Sequence, residues 1–186
     1  YGTIAMKEKV VLAFSGGLDT SFCVKYLSED KGFEVHTATV NTGGFADDDL
    51  RRIEEKALRL GAAGHAVLDI TEEYYHKCIR YMVFGNVLRN NTYPVSVSSE
   101  RVFQAMAIIR HAVATGAGYV AHGSTGAGND QVRFDLTFGV LAPEIRILTP
   151  IRDLSLSRAE EIAYLRRHGV EEDFSGMAYS INQGLW

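Results

Sequence analysis

Val10-Val11-Leu12-Ala13-Phe14-Ser15-Gly16-Gly17-Leu18-Asp19-Thr20-Ser21 runs without a break from an apolar stretch into a small, hydroxyl- and glycine-rich turn. The apolar residues 10–14 read as a buried strand, and Thr20 onward, with Phe22, Val24, Tyr26 and Leu27, reads as the helix that the strand feeds. Two adjacent glycines let a backbone turn tightly and approach a ligand closely. The free N–H groups at the helix start make a concave anion site. Ser15, Thr20 and Ser21 add hydroxyl donors. The stretch therefore predicts a phosphate grip between strand and helix, with a plain Gly-Gly turn before an ordinary capped helix as the alternative.

The same strand-turn-helix unit recurs along the chain. Residues 34–40 form a second strand, ended by Asn41-Thr42-Gly43-Gly44, and the acidic residues 47–49 precede a helix with Leu50, Ile53, Ala57 and Leu60 on one face. Residues 66–70 read as a third strand, after which Thr71, Glu72 and Glu73 open a helix running toward Phe84. Between Gly85 and Ser98 the pattern loosens and predicts a long polar loop. Helical spacing returns at 99–115, followed by a strand at 119–122 and a glycine-rich turn at 123–128. A strand at 145–148 and a helix opened by Ser157, with Glu160 completing a capping box, close the series. Strands alternating with helices predict an α/β fold: a doubly wound, mainly parallel sheet with helices on both faces and ligands at the carboxyl ends of the strands.

Bulk composition narrows the function. At 186 residues the chain suits one well-packed core. It holds no apolar segment long enough to span a bilayer. A net charge of −4 and a pI of about 5.9 argue against a general nucleic-acid surface, which needs clustered Lys and Arg. Cys23 and Cys78 stand 55 residues apart with no CxxC or Cys/His cluster, so the expectation is buried thiols in a cytoplasmic protein, with no metal site built from side chains. Residues 1–5 carry neither the basic flank nor the apolar segment of a signal peptide and read as an added or disordered start. Residues 6–186 then form the domain.

Which phosphate turn is this? A Walker loop needs Gly-Lys before Ser or Thr, and that pair is absent. Ser15-Gly16-Gly17-Leu18-Asp19-Thr20 instead resembles the pyrophosphate loop of the ATP pyrophosphatases, which cleave ATP between its α and β phosphates. A second motif follows the strand at 119–122. His122-Gly123-Ser124-Thr125-Gly126-Ala127-Gly128-Asn129-Asp130-Gln131-Val132-Arg133-Phe134 is read as a loop combining glycines for close backbone contact, an acid able to hold an amine and an arginine fork suited to a carboxylate. A merely solvated Asp130–Arg133 ion pair is the alternative. With Tyr179-Ser180 near the end, these motifs in this order resemble the argininosuccinate synthase family over nearly all of residues 6–186.

That resemblance implies an adenine-nucleotide α-hydrolase-like fold and a carbon-nitrogen ligase of arginine biosynthesis. The family joins citrulline to aspartate with ATP and Mg²⁺, releasing AMP and pyrophosphate through an adenylated citrulline. It implies ATP contacts at Ala13, Phe14, Ser15, Gly16, Gly17, Leu18, Asp19, Thr20, Ser21, Val40, His122, Gly123 and Gly128. Citrulline contacts fall on Tyr93, Ser98, Asn129, Arg133 and Ser180, and aspartate contacts on Thr125, Asn129 and Asp130. Asp19 and Asp130 act by positioning, no side-chain nucleophile is needed, and His36 and His122 read as structural. Ala127 stands where many members carry Lys, and Asn182-Gln183-Gly184-Leu185 replaces a commoner acidic tail. The family continues into a second domain that completes the citrulline site and much of a homotetramer. The 186 residues read as its nucleotide-binding half, with two other readings open: a nucleotide-binding fragment without turnover, or another amidating enzyme of the pyrophosphate-loop group.

Overall fold

The computed structural model describes residues 7–172 together with Phe174. Five parallel strands form one sheet in the order β3-β2-β1-β6-β7. β1 (Lys9–Ala13) is central, pairing with β2 (Glu34–Asn41) on one side and β6 (Tyr119–Ala121) on the other. β3 (Gly64–Asp69) and β7 (Arg146–Leu148) are the edges. Alternation along β1 divides the core into two layers. Val11 faces α5 (Ser96–Ala114) and α6 (Asp130–Leu141), where Ile108, Ile109, Phe134 and Phe138 pack. Val10 and Leu12 face α1 (Leu18–Lys25) and α2 (Asp47–Arg59), where Phe22, Leu27, Ala57 and Leu60 pack. Each of these three β1 side chains is fully buried, worth roughly 1.5–3 kcal/mol of hydrophobic transfer apiece. Helices therefore cover both faces, as the alternating pattern predicts.

The connections explain where a ligand can sit. From β1 the chain moves outward through β2 to β3, then crosses back to lay β6 on the other side of β1. The turns after β1 and β6 diverge at this reversal and leave a crevice at the carboxyl ends of the strands. The return crossing uses α3 (Thr71–Tyr74), a π-helical turn, α4 (Arg80–Phe84) and then α5. α7 (Pro150–Leu154) and α8 (Arg158–Arg167) are the last helices among the described residues. Ser157 and Glu160 form the expected capping box of α8, with the Ser157 N–H donating to Glu160 Oε2 at 2.7 Å.

Two expectations are corrected. The segment 85–98 is not one long loop: β4 (Leu88–Arg89) and β5 (Tyr93–Pro94) pair as an antiparallel hairpin, and α5 begins at Ser96. Asn90 and Asn91 both take left-handed φ at the hairpin tip, a conformation asparagine tolerates. The second glycine-rich loop is also shorter than expected, since residues from Asp130 onward are helical.

Candidate functional site

The phosphate turn is built on the first crossover. Gly16 holds φ +77°, open to glycine at no steric cost, and Gly17 caps α1 in an extended conformation. The hydroxyls of Thr20 and Ser21 donate to the Gly17 carbonyl at 3.3 and 2.7 Å. Ser15 Oγ meets Thr20 Oγ1 at 3.3 Å, which leaves the α1 start braced by its own side chains. Opposite it, Gly123 lies so close that a Cβ there would sit 3.2 Å from Thr20 Cγ2. The two turns thus pack against each other at the switch point.

Between them and α5 opens a cavity of about 700 Å³, a size suited to a small organic ligand. Its walls include Ser15, Gly16, Gly17, Val40, His122 and Gly123. Arg101 and Arg158 supply positive charge, while Asp19, Glu100 and Asp130 supply negative charge.

Asp130 is bound from two sides. Arg133 NH1 donates to its Oδ1 at 2.7 Å and Arg101 Nε to its Oδ2 at 3.2 Å. Arg133 also reaches Ser98 Oγ at 3.1 Å, and Arg101 reaches Gln104 Oε1 at 2.7 Å. Gln104 continues to Glu100, whose buried carboxylate accepts from Thr42 at 2.6 Å. One polar chain therefore links α6, α5 and the turn after β2 along the cavity wall.

His122 is buried and stacks on Phe134 with ring centroids 5.3 Å apart. Its Nδ1 accepts from the Ser124 N–H at 3.2 Å, which places the ring proton on Nε2, donating to Asp135 at 2.8 Å. Arg152 holds the other Asp135 oxygen at 2.6 Å. Burial pushes the His122 pKa down, against the pull of Asp135, and keeps the ring neutral.

Behind α1, Glu161 on α8 is buried, and its Oε2 finds no hydrogen-bond partner among the described residues. Burial and the neighbouring Asp19 push its pKa up to about 8. Protonated, Glu161 becomes the donor to Asp19. Burial also raises Asp19 itself, while the Glu161 hydrogen bond and Arg158 pull it back.

The family profile of the arginosuccinate synthase N-terminal HUP domain matches residues 9–171 of this chain. Argininosuccinate synthase of Pyrobaculum aerophilum is 43% identical over 179 residues, an alignment covering 96% of this chain and 45% of the relative. The chain belongs to the argininosuccinate synthase family. The Rubrobacter xylanophilus argininosuccinate synthase is 42% identical over 181 residues, covering 96% of this chain and 43% of that protein. The chain thus spans less than half the length of these curated relatives. Among solved structures, the NH3-dependent NAD synthetase from Campylobacter jejuni, in complex with the nitrate ion, superposes with a TM-score of 0.58 at 16% identity, over 96% of this chain and 72% of that one. That likeness extends to the fold.

Set against the roles that argininosuccinate synthases imply, the structure gathers most of the expected residues and separates a few. Residues 13–20, Val40, His122, Gly123, Thr125 and Asp130 all line the cavity. Ser21 does not: it is fully buried with its hydroxyl turned into its own helix. Gly128, Asn129 and Arg133 lie just outside the lining, at the start of α6. Ser98 sits on the first turns of α5 rather than in a loop, bonded to Arg133. Tyr93 is on β5. Tyr179 and Ser180 fall outside the described residues. His36 bonds Glu34 at 2.7 Å on β2, away from the cavity lining. Sequence reasoning missed Glu100, Arg101 and Gln104, which the α5 pattern presented only as polar positions of a helix. It also missed Lys56, a lysine with 8% exposure on a helix whose charged residues otherwise face solvent.

Proposed function

We propose that this chain is the ATP-binding half of an argininosuccinate synthase, a carbon-nitrogen ligase that joins citrulline to aspartate and releases AMP and pyrophosphate. The observation that carries this reading is the pairing of the Ser15–Leu18 turn with the Gly123 turn across one cavity at the switch point of the sheet.

In this reading the ATP phosphates lie at the amino end of α1, where backbone N–H groups and the helix field favour anions. Val40, at the end of β2, contacts the nucleoside. Citrulline lies along Ser98 and Arg133, and aspartate along Thr125, Asn129 and Asp130. The ureido oxygen attacks the α-phosphorus, pyrophosphate departs, and the aspartate amine then displaces AMP. Alignment and charge stabilisation supply the rate enhancement, since no step requires a protein nucleophile. Among the described residues no group of three or more His, Cys, Asp or Glu could hold a metal. Mg²⁺ would come to the site with the ATP phosphates and neutralise part of their charge, since this cation keeps several waters and is commonly held through substrate phosphates. The reaction is assigned to the cytoplasm, and the assembly of the complete enzyme to a homotetramer.

Pyrophosphate release measured with ATP, citrulline and aspartate tests the reading. Citrulline-dependent release supports a ligase active in this half. Tight ATP binding without release identifies a nucleotide-binding half that needs the rest of its relatives' length. Absence of both ATP binding and pyrophosphate release would refute the reading.

A further inference from the structure

Lys56 projects from α2 into the back of the phosphate turn. Its side chain is 9% exposed, and Nζ donates to the Gly16 carbonyl at 2.6 Å and to Glu172 Oε1 at 2.6 Å. The Phe174 ring lies against the same ammonium, with its centroid 4.9 Å away. A buried ammonium is costly unless its protons are met, and here a carbonyl, a carboxylate and an aromatic face meet it. Gly16 leaves room for this approach: a Cβ at that position would contact Ile53 and Lys56 itself.

The consequence lies in peptide geometry. Across a planar trans peptide the carbonyl and the following N–H point in opposite directions. By gripping the Gly16 carbonyl from behind, Lys56 fixes the plane of the Gly16–Gly17 peptide and turns the Gly17 N–H toward Ser15 Oγ, 3.4 Å away on the cavity side. Gly16, at φ +77°, belongs to the residue type freest to rotate that plane. With the peptide flipped, a carbonyl oxygen would face the phosphates in place of a donor.

We infer that Lys56 is the positioning residue of the phosphate turn: it locks the Gly16–Gly17 peptide in the anion-binding orientation, and Glu172 with Phe174 clasps it there. The inference rests on the ATP reading above and adds a residue outside the two glycine-rich motifs. It also ties Glu172 and Phe174 to phosphate affinity, because both meet the Lys56 nitrogen.

The test is titration of the purified chain with Mg-ATP, inorganic pyrophosphate and adenosine, in the parent and in Lys56→Met and Glu172→Gln, below the melting temperature of each. Lys56→Met keeps most of the aliphatic stem and removes the ammonium. It is expected to weaken ATP and pyrophosphate binding on the order of tenfold, as loss of a charged hydrogen bond implies, with adenosine within about twofold. Glu172→Gln retains the lysine and is expected to show the same selectivity at a few-fold smaller loss, so a poorly folding Lys56→Met leaves the inference testable. Equal losses for ATP and adenosine, or unchanged phosphate affinity in a folded variant, would overturn it. A parent chain that binds neither ATP nor pyrophosphate sinks the nucleotide reading itself and the lysine's role with it.

Discussion

Arg133 and Asp130 form an ion pair one turn apart on α6, 2.7 Å between NH1 and Oδ1, and the same guanidinium extends to Ser98 on α5. The pair is not merely a solvated surface bridge, because Arg101 closes on the other oxygen of Asp130 from the cavity wall. Its 41% exposed carboxylate remains open to a ligand. On the proposed reading, Asp130→Ala abolishes any extra thermal stabilisation by aspartate in the presence of ATP, while ATP affinity stays within a few-fold of the parent. Parallel loss of ATP binding would show that Asp130 serves the fold.

Gly123 sets the distance between the two turns. Gly123→Ala places a methyl group 3.2 Å from Thr20 Cγ2 and 3.4 Å from the Asp19 backbone, so the turn must move by a few tenths of an ångström. We expect a cost of about 1–3 kcal/mol in urea unfolding, as overpacking generally costs, together with weaker ATP binding. Unchanged ATP affinity would separate the glycine-rich turn from the nucleotide site.

Glu161 gives the stability profile a falling limb. Its folded pKa, about 8, lies above the ordinary 4.5 because of burial and Asp19. Between those values the folded chain holds a proton that the unfolded chain has released, so this contribution is full below about pH 4.5 and is lost as pH rises through about 8. Glu161→Gln, which mimics the protonated form, should remove that limb from the difference between parent and variant unfolding free energies. A difference independent of pH across this window would contradict the assignment.

His122 acts with the opposite sign. Burial depresses its pKa below the ordinary 6.5, and His65 and His111 are depressed by burial as well. The unfolded chain then takes up protons first, so stability is held above about pH 6.5 and lost progressively below it, as pH falls through the depressed folded pKa. His122→Asn should lessen this acid limb without abolishing it, since two other histidines share it. An acid limb unaltered by the substitution would place the proton uptake elsewhere.

The strands and the first turn were legible because their signals are local. A short apolar run ending in Ser15-Gly16-Gly17 needs no distant partner to be read, and each of the five sheet strands lies within two residues of its expected bounds at either end. α6 was hidden for a physical reason. Val132, Leu136 and Val140 are exposed on the face opposite buried Phe134 and Phe138, so apolar residues stand on two opposite faces with polar residues between them, and the helix lacks the single apolar stripe that marks an amphipathic element. Its first turn consequently read as part of a loop. The 85–98 segment misled differently, because its short hairpin turns through the three residues 90–92 with Asn90 and Asn91 in the left-handed region, and is not set by hydrophobic alternation. Lys56 was invisible because a lysine on a charged helix is read as solvated. Only the crossing of α2 behind Gly16 shows its use.

The most direct test of the central claim is the thermal stabilisation of this chain by Mg-ATP, alone and with citrulline and aspartate. A ligand that binds only the folded chain stabilises it by mass action, about 2.7 kcal/mol at a hundred times its Kd. A saturable rise with ATP, extended by citrulline or aspartate, is the expected result. A melting temperature unmoved by ATP at any concentration would contradict the reading of Ser15–Leu18 as a phosphate turn.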